Sequence, residues 1–142
     1  MAAHYARFWW LKEVDDLKEL KVFIADDSQA IRQQLQSALS KIEGCTLIGS
    51  ADGNLQAAQQ INLLQPDVVI LDISMPHREG IRVLREIRKV IPLAQVIIYT
   101  ADPSVVLQEV CLEAGANFYL DKAQIQDLID ILSERLVQNL KH

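Results

Sequence analysis

Cysteine, histidine, proline and glycine are all scarce in this chain: its 142 residues include two cysteines, three histidines, four prolines and five glycines. Cys45 and Cys111 stand alone without a Cys-x-x-Cys pair, so a disulfide framework is not expected. Both are predicted to be buried, reduced thiols. The histidines lie too far apart in the sequence to indicate a zinc site.

Long apolar runs and clusters of positive charge are also missing. The strongest apolar run, Val68–Leu71, has four residues, whereas a membrane-spanning helix needs about 18. No secretory signal is visible at the N-terminus. With 19 acidic and 14 basic residues the net charge is −5, which argues against binding along a phosphate backbone. These absences predict a cytoplasmic protein that binds neither a membrane nor, directly, nucleic acid.

The composition that remains is that of one soluble domain. Half of the residues are apolar, and a chain of this length buries about two-thirds of the surface that its unfolded form exposes. The aromatic residues are unevenly spread, because four of the eight fall within the first ten positions, namely Tyr5, Phe8, Trp9 and Trp10. We therefore predict an N-terminal extension, residues 1–20, followed by a domain over residues 21–142.

Two interpretations of the extension stay open. The spacing of Trp10, Val14 and Leu17 is that of one side of an amphipathic helix, which would dock on the domain or on a partner. Alternatively, the first ten residues are disordered or foreign to the natural chain.

From Lys21 onward, short apolar runs alternate with longer stretches of helical period. Ser28 is predicted to cap the first helix, Gly44 to end it, and Pro103 to lie in the first turn of the fourth. Five strands alternating with five helices predict an open α/β sheet of parallel strands with helices on both faces. The predicted strands are residues 22–25, 46–48, 68–71, 96–99 and 118–120.

Polar residues follow the predicted strands, at the edge where open α/β sheets carry their functional sites. They are Asp26, Asp27, Asp72, Thr100, Asp121 and Lys122. If the first and third strands are neighbours, the first three of these acids converge. Two like charges about 4 Å apart repel by roughly 4 kcal/mol at an effective dielectric of 20, so a cation and Lys122 are expected there. Oxygen ligands favour Mg²⁺ or Mn²⁺.

These residues carry a resemblance to a known family. Asp26-Asp27, Asp72-Ile73-Ser74-Met75-Pro76 with Gly80, Thr100-Ala101, Gly115-Ala116 and Lys122 occur in the order found in receiver domains of two-component response regulators. The chain resembles that family over nearly all of its length from Lys21. The resemblance implies a doubly wound, flavodoxin-like (βα)5 three-layer sandwich with sheet order 2-1-3-4-5.

The resemblance also implies a role for each matching residue. Asp72 corresponds to the phosphoacceptor, and Thr100 and Lys122 to its phosphate ligands. The metal ligands would be Asp26, Asp27, Asp72 and the main-chain carbonyl of Ser74, with Mg²⁺ or Mn²⁺ as cofactor. Thr100 and Tyr119 would switch the face of strands four and five. The partners implied are a sensor histidine kinase or histidine phosphotransfer protein, and a second copy in a homodimer.

Four positions near the predicted site need separate comment. Ala123 follows Lys122 where proline is usual, which is similar to receivers of the LuxR-type helix-turn-helix regulators. Ser74 and Asp102 lie two positions beyond Asp72 and Thr100, where side chains of this family tune the phosphoryl lifetime. Asp121 is expected either to pair with Lys122 or to face solvent.

Three other functions compete with the receiver interpretation. A haloacid-dehalogenase-type Mg²⁺ phosphatase needs Asp-x-Asp, but position 74 is serine. A flavodoxin-like electron carrier needs a phosphate loop after the first strand, where Asp26 and Asp27 would repel the flavin phosphate. A receiver-like scaffold that is never phosphorylated should have lost its acids or its lysine, and all are present.

Overall fold

A computed structural model describes residues 19–52, 54–73, 79–102 and 104–140, so most of the extension lies outside the described residues. Strands and helices alternate through the whole described chain. They are β1 (Leu20–Ala25), α1 (Gln29–Ser40), β2 (Cys45–Ala51), α2 (Asn54–Leu64), β3 (Val68–Leu71), α3 (Glu79–Val90), β4 (Gln95–Thr100), α4 (Val105–Glu113), β5 (Phe118–Asp121) and α5 (Ile125–Leu140).

The five strands form one parallel sheet in the order β2-β1-β3-β4-β5. The structure thus confirms the predicted strand order and the predicted doubly wound α/β fold. β3 is the central strand, and all four of its residues are buried, as expected for a strand covered on both faces.

Alternate residues of the strands point to opposite faces of the sheet and form two separate cores. One core contains Phe23, Val69 and Ile98 packed with residues of α2, α3 and α4. The other contains Ile24 and Ile70 with residues of α1 and α5. The molecule is therefore a three-layer sandwich with the sheet in the middle.

The helix ends differ in detail from the sequence prediction. Ser28 caps α1 as predicted and accepts a hydrogen bond from the Ile31 amide. However, α1 ends at Ser40, and Gly44 takes a positive φ of 88° in the turn before β2. Helix α4 begins at Val105 with Ser104 as its N-cap, so its first turn does not include position 103, and Pro103 itself lies outside the described residues. None of the described helices has the length and apolar character needed to cross a membrane.

Candidate functional site

Three aspartates meet at the carboxyl edge of the sheet. β1 and β3 are parallel neighbours with Ala25 opposite Leu71, which places Asp26 and Asp72 side by side one residue later. Oxygens of Asp26, Asp27 and Asp72 all lie within 4.8 Å of one another. Asp26 and Asp72 are each only 2% exposed, whereas Asp27 is exposed. The predicted convergence of these acids is therefore found in the structure.

The ammonium of Lys122 lies between the two buried carboxylates. Its Nζ is 3.0 Å from Oδ2 of Asp26 and 3.1 Å from Oδ2 of Asp72. The main-chain amide of Lys122 donates to the carbonyl of Thr100 at 2.9 Å, which continues the pairing of β4 with β5. One positive charge thus faces two buried negative charges.

Burial and neighbouring charges shift the pKa values of Asp26 and Lys122, and both shifts are upward. Burial raises the pKa of Asp26 above its usual value, and the nearby Asp72 charge adds to the effect, although hydrogen bonds from Ser28 and Lys122 oppose it. Burial alone would lower the pKa of Lys122, but its hydrogen bonds to Asp26 and Asp72 outweigh this and leave that pKa raised. Lys122 therefore stays protonated at neutral pH.

Two contacts that the sequence did not reveal hold Asp26 in place. Its Oδ1 accepts a hydrogen bond from the Ser28 amide at 2.8 Å, and its carbonyl accepts one from the Arg32 guanidinium at 2.6 Å. Both donors belong to the start of α1. Arg32 is six positions from Asp26, and it is the single basic residue of α1, so no motif in the sequence indicated this contact.

Thr100 is fully buried at the end of β4. Its Oγ1 accepts a 3.4 Å hydrogen bond from the Asp102 amide, a length at which such bonds are weak. The carbonyl of Asp102 accepts a hydrogen bond from the hydroxyl of Tyr119. Asp102 thereby links the predicted phosphate ligand Thr100 to the half-buried ring of Tyr119.

Tyr99 helps to hold Lys122 in place, and the sequence did not predict this role. Its ring is fully buried among the residues of the α1 and α5 core, and its hydroxyl donates to the main-chain carbonyl of Lys122 at 2.8 Å. The only sequence signal was a tyrosine in an otherwise apolar strand, since a buried tyrosine hydroxyl usually finds a partner.

The structure confirms some of the predictions for the remaining residues and differs from others. Asp121 neither pairs with Lys122 nor simply faces solvent, because its Oδ1 accepts from the Ala123 amide and shapes the turn before α5. The carboxylate of Asp102 accepts from the Ser104 amide at 3.0 Å. Ser74 lies outside the described residues. Cys111 is buried as predicted, but Cys45 is only half-buried because it opens the edge strand β2.

The donor set fits a hard divalent cation. Mg²⁺ takes oxygen ligands and usually uses one or two carboxylates while keeping several waters. The cluster of Asp26, Asp27 and Asp72 offers such oxygens within a small volume, and the exposure of Asp27 leaves that side open to water. Among the residues that the structure describes, neither a cysteine nor a histidine contributes to the cluster, which disfavours zinc.

A family profile described as the response regulator receiver domain matches residues 22–133. The chain belongs to the response regulator receiver family. This confirms the resemblance inferred from the strand-end residues and makes the described domain a signalling module of two-component systems.

Curated relatives of this receiver are longer than the chain itself. It is 33% identical over 129 residues to a protein-glutamate methylesterase/protein-glutamine glutaminase 2 of Vibrio vulnificus, which covers 87% of the receiver chain but only 36% of that relative. The chain thus spans about a third of the length of that enzyme.

Two solved structures illustrate the fold. A LuxR-family DNA-binding response regulator from Staphylococcus aureus is 29% identical, with a TM-score of 0.74 over 82% of this receiver and 98% of that chain. The CheX-CheY-BeF3-Mg²⁺ complex from Borrelia burgdorferi contains a chain that is 29% identical, with a TM-score of 0.70 over 80% of this receiver and 89% of that chain.

Proposed function

We propose that this receiver accepts a phosphoryl group on Asp72 from a histidine kinase or histidine phosphotransfer protein, with Mg²⁺ or Mn²⁺ bound by the three acids. The observation that carries the proposal is the position of the Lys122 ammonium, within 3.1 Å of both buried carboxylates at the carboxyl edge of the sheet. Such a group neutralises charge on a phosphoryl oxygen without taking part in a covalent bond.

Asp72 is favoured as the acceptor because of its central position at the carboxyl edge of the sheet. It follows the central β3, so acids from β1 lie on one side of it and Thr100 at the end of β4 on the other. An oxygen of Asp72 forms the new bond to phosphorus while the bond from phosphorus to the donor nitrogen breaks.

The metal would be held by the carboxylates of Asp26, Asp27 and Asp72, together with the main-chain carbonyl of Ser74 implied by the family resemblance. When bound, the ion supplies positive charge to the phosphoryl oxygens. Lys122 keeps a second positive charge beside Asp72, and the Thr100 hydroxyl donates a hydrogen bond to a phosphoryl oxygen.

The switch in this proposal runs through Asp102. If the Thr100 side chain rotates to donate its hydroxyl to a phosphoryl oxygen, its Oγ1 moves away from the Asp102 amide, which donates to it at 3.4 Å. Loosening that bond alters the turn whose carbonyl binds the Tyr119 hydroxyl. Phosphorylation would therefore bias Tyr119 and the β4–β5 face between two arrangements, with Ser74 and Asp102 affecting the lifetime of the modified state.

The downstream partner belongs to the proposal as well. The relatives include a methylesterase and a LuxR-family DNA-binding regulator, so we propose that this receiver controls an enzymatic or DNA-binding output, in the same protein or in a separate one. A cytoplasmic location and a homodimer are part of the same proposal.

Acetyl phosphate with Mg²⁺ followed by intact-protein mass measurement tests the proposal. We expect the mass of one added phosphoryl group on the wild-type protein, none on Asp72→Asn, and none when EDTA removes the metal. The matched control is Asp130→Asn, which changes an exposed acid on α5 and should be modified like wild type. Absence of the adduct on the wild-type protein would favour the scaffold interpretation, and rapid turnover of acetyl phosphate without any adduct would favour a phosphatase.

A further inference from the structure

Helix α1 carries its single basic residue, Arg32, near its amino end. The amino end of a helix bears partial positive charge, so a cation there is unfavourable unless nearby acidic groups compensate for it. The acids that follow β1 lie just before this helix. Arg32 is therefore compensated only if its side chain turns back towards the site.

The Arg32 side chain does turn back, and it contacts the main chain there. Its Nη1 donates to the carbonyl of Asp26 at 2.6 Å, whereas ordinary N–H···O hydrogen bonds measure about 2.9–3.0 Å. Charged donors form the shorter and stronger bonds of this kind. Because Arg32 is half-buried, water and salt screen the contact only in part.

The carbonyl that Arg32 binds belongs to the peptide unit between Asp26 and Asp27. A peptide unit is planar, so the direction of this carbonyl also fixes the position of the Asp27 Cα atom. The amide of Asp26 donates to the carbonyl of Ala51 at 3.1 Å, which holds the preceding peptide unit. Arg32 thus fixes the point from which the Asp27 side chain starts.

Asp27 is the acid of the cluster that depends most on such a restraint. Asp26 and Asp72 are buried and share the ammonium of Lys122, whereas Asp27 is exposed and packing restrains it less. Its carboxylate is repelled by the other two acids, whose oxygens lie within 4.8 Å. A fixed backbone limits how far this repulsion can drive the side chain towards water.

We propose that Arg32 is a positioning residue for the divalent cation. By holding the peptide unit between Asp26 and Asp27, it keeps the Asp27 carboxylate close to the other two acids. This inference rests on the proposed function, because it takes the three acids as the metal ligands. The guanidinium is itself a cation, so it acts on the metal only through the backbone that it holds.

A role through charge alone would have the opposite sign. Removal of a positive charge beside a cation site strengthens cation binding, because a repulsion is lost. Removal of a group that holds a metal ligand in place weakens binding. The direction of the change in Mg²⁺ affinity therefore distinguishes the two roles.

Arg32→Met in the full chain tests the proposal, since methionine keeps an apolar side chain but lacks the charge and the donors. The rise of the melting temperature with Mg²⁺ concentration reports the dissociation constant, because an ion that binds the folded chain stabilises it. We expect that constant to increase about tenfold in the variant. Arg32→Lys keeps a charged donor and should recover most of the affinity. The rate of modification by acetyl phosphate should approach the wild-type rate as Mg²⁺ is raised.

Arg88→Ala is the matched control, because Arg88 also donates to main-chain carbonyls, those of Gly115 and Ala94, but at the amino edge of the sheet. It should lower stability and leave the Mg²⁺ dissociation constant unchanged. Far-UV circular dichroism verifies that each variant remains folded. Equal or tighter Mg²⁺ binding by Arg32→Met would overturn the proposal, and so would an equal loss of affinity in Arg88→Ala.

Failure of the proposed function would give a different result. A wild-type protein whose melting temperature does not respond to Mg²⁺ would contradict the proposed metal site and the role of Arg32 together. A wild-type protein that binds Mg²⁺ and is modified by acetyl phosphate, with an Arg32→Met variant of the same affinity, would contradict only the role of Arg32.

Discussion

The Nζ atom of Lys122 lies 3.1 Å from Oδ2 of Asp72, although 50 positions separate the two residues. The contact exists because the sheet places β5 beside β4 and β4 beside β3, so residues just beyond these strands meet at one edge. The same ammonium contacts Asp26 at 3.0 Å. This one cation is thus shared between two carboxylates that would otherwise repel each other.

Lys122→Met is expected to destabilise the metal-free protein. Methionine keeps much of the side-chain length but removes the charge, which leaves Asp26 and Asp72 facing each other with almost no exposure to water. Removing one partner of a buried ion pair costs about 3 kcal/mol of unfolding free energy. Urea denaturation in EDTA measures this loss. Mg²⁺ should restore part of the stability, and a variant as stable as wild type in EDTA would contradict the account of the site.

Asp27→Asn is expected to have the opposite effect on the metal-free protein. Asp27 adds a third negative charge to the cluster but is exposed, so its removal should raise stability by only about 0.5 kcal/mol. The same change removes a proposed metal ligand. Thermal denaturation with and without Mg²⁺ should therefore show a slightly higher melting temperature in EDTA and a much smaller rise when Mg²⁺ is added. An undiminished Mg²⁺ effect would exclude Asp27 as a ligand.

Tyr99→Phe is expected to weaken the support of the lysine. The variant loses the 2.8 Å hydrogen bond to the Lys122 carbonyl, at a cost of about 1 kcal/mol, and allows the turn after β5 to move. Chemical denaturation should show that loss, and phosphorylation by acetyl phosphate should become slower. Tyr119→Phe is the comparison, because its hydroxyl bonds the exposed Asp102 turn and its removal should cost less stability. Equal losses for the two variants would argue against a special role for Tyr99.

The two thiols are expected to react slowly in the folded protein. Burial raises the pKa of both Cys45 and Cys111 from 9.0 to about 11, which lowers the thiolate fraction near pH 8 about a hundredfold relative to the unfolded chain. Since the folded-state pKa values are raised, their stabilising contribution is complete below pH 9 and is lost as the pH rises towards 11. Reaction with a chromogenic disulfide in buffer and in urea, on Cys45→Ala and Cys111→Ala separately, checks the expectation. Equal rates in the two solvents would contradict it.

Arg88→Ala is expected to destabilise the fold without changing the site. The Arg88 guanidinium donates to the carbonyls of Gly115 and Ala94 and to Oδ1 of Asn117, at the amino edge far from Asp72. Loss of these bonds should lower the unfolding free energy by about 2 kcal/mol. Arg85→Ala, which changes an exposed arginine on the same helix, is the control and should have little effect. Slower phosphorylation of folded Arg88→Ala would be contrary to this account.

The sequence predicted the residues of the site better than the residues that hold them in place. Asp26, Asp72 and Lys122 could be identified because each follows an apolar run, and parallel strands bring such positions to one edge. Tyr99 was missed because its hydroxyl bonds the main-chain carbonyl of Lys122, just after the neighbouring strand, a contact that leaves no motif. Asp121 was misjudged for a similar reason, since its use in the turn depends on the local backbone geometry.

The helix boundaries also could not be predicted accurately from the sequence. Gly44 and Pro103 are typical helix-end residues, yet α1 ends four residues before the glycine and α4 begins two residues after the proline. In the second case Ser104 supplies the cap that fixes the start of α4. The strand core around Val69 was easier to predict, because continuous apolar runs have few other uses in an α/β chain.

Mapping the phosphoryl group to a residue tests the central claim most directly. After reaction with acetyl phosphate and Mg²⁺, borohydride reduction converts an aspartyl phosphate to homoserine, and peptide mass spectrometry locates that residue. The account predicts homoserine at position 72 in the wild-type protein and at no position in Asp72→Asn. Homoserine at position 26 or 27, or its complete absence from a protein that has bound Mg²⁺, would contradict it.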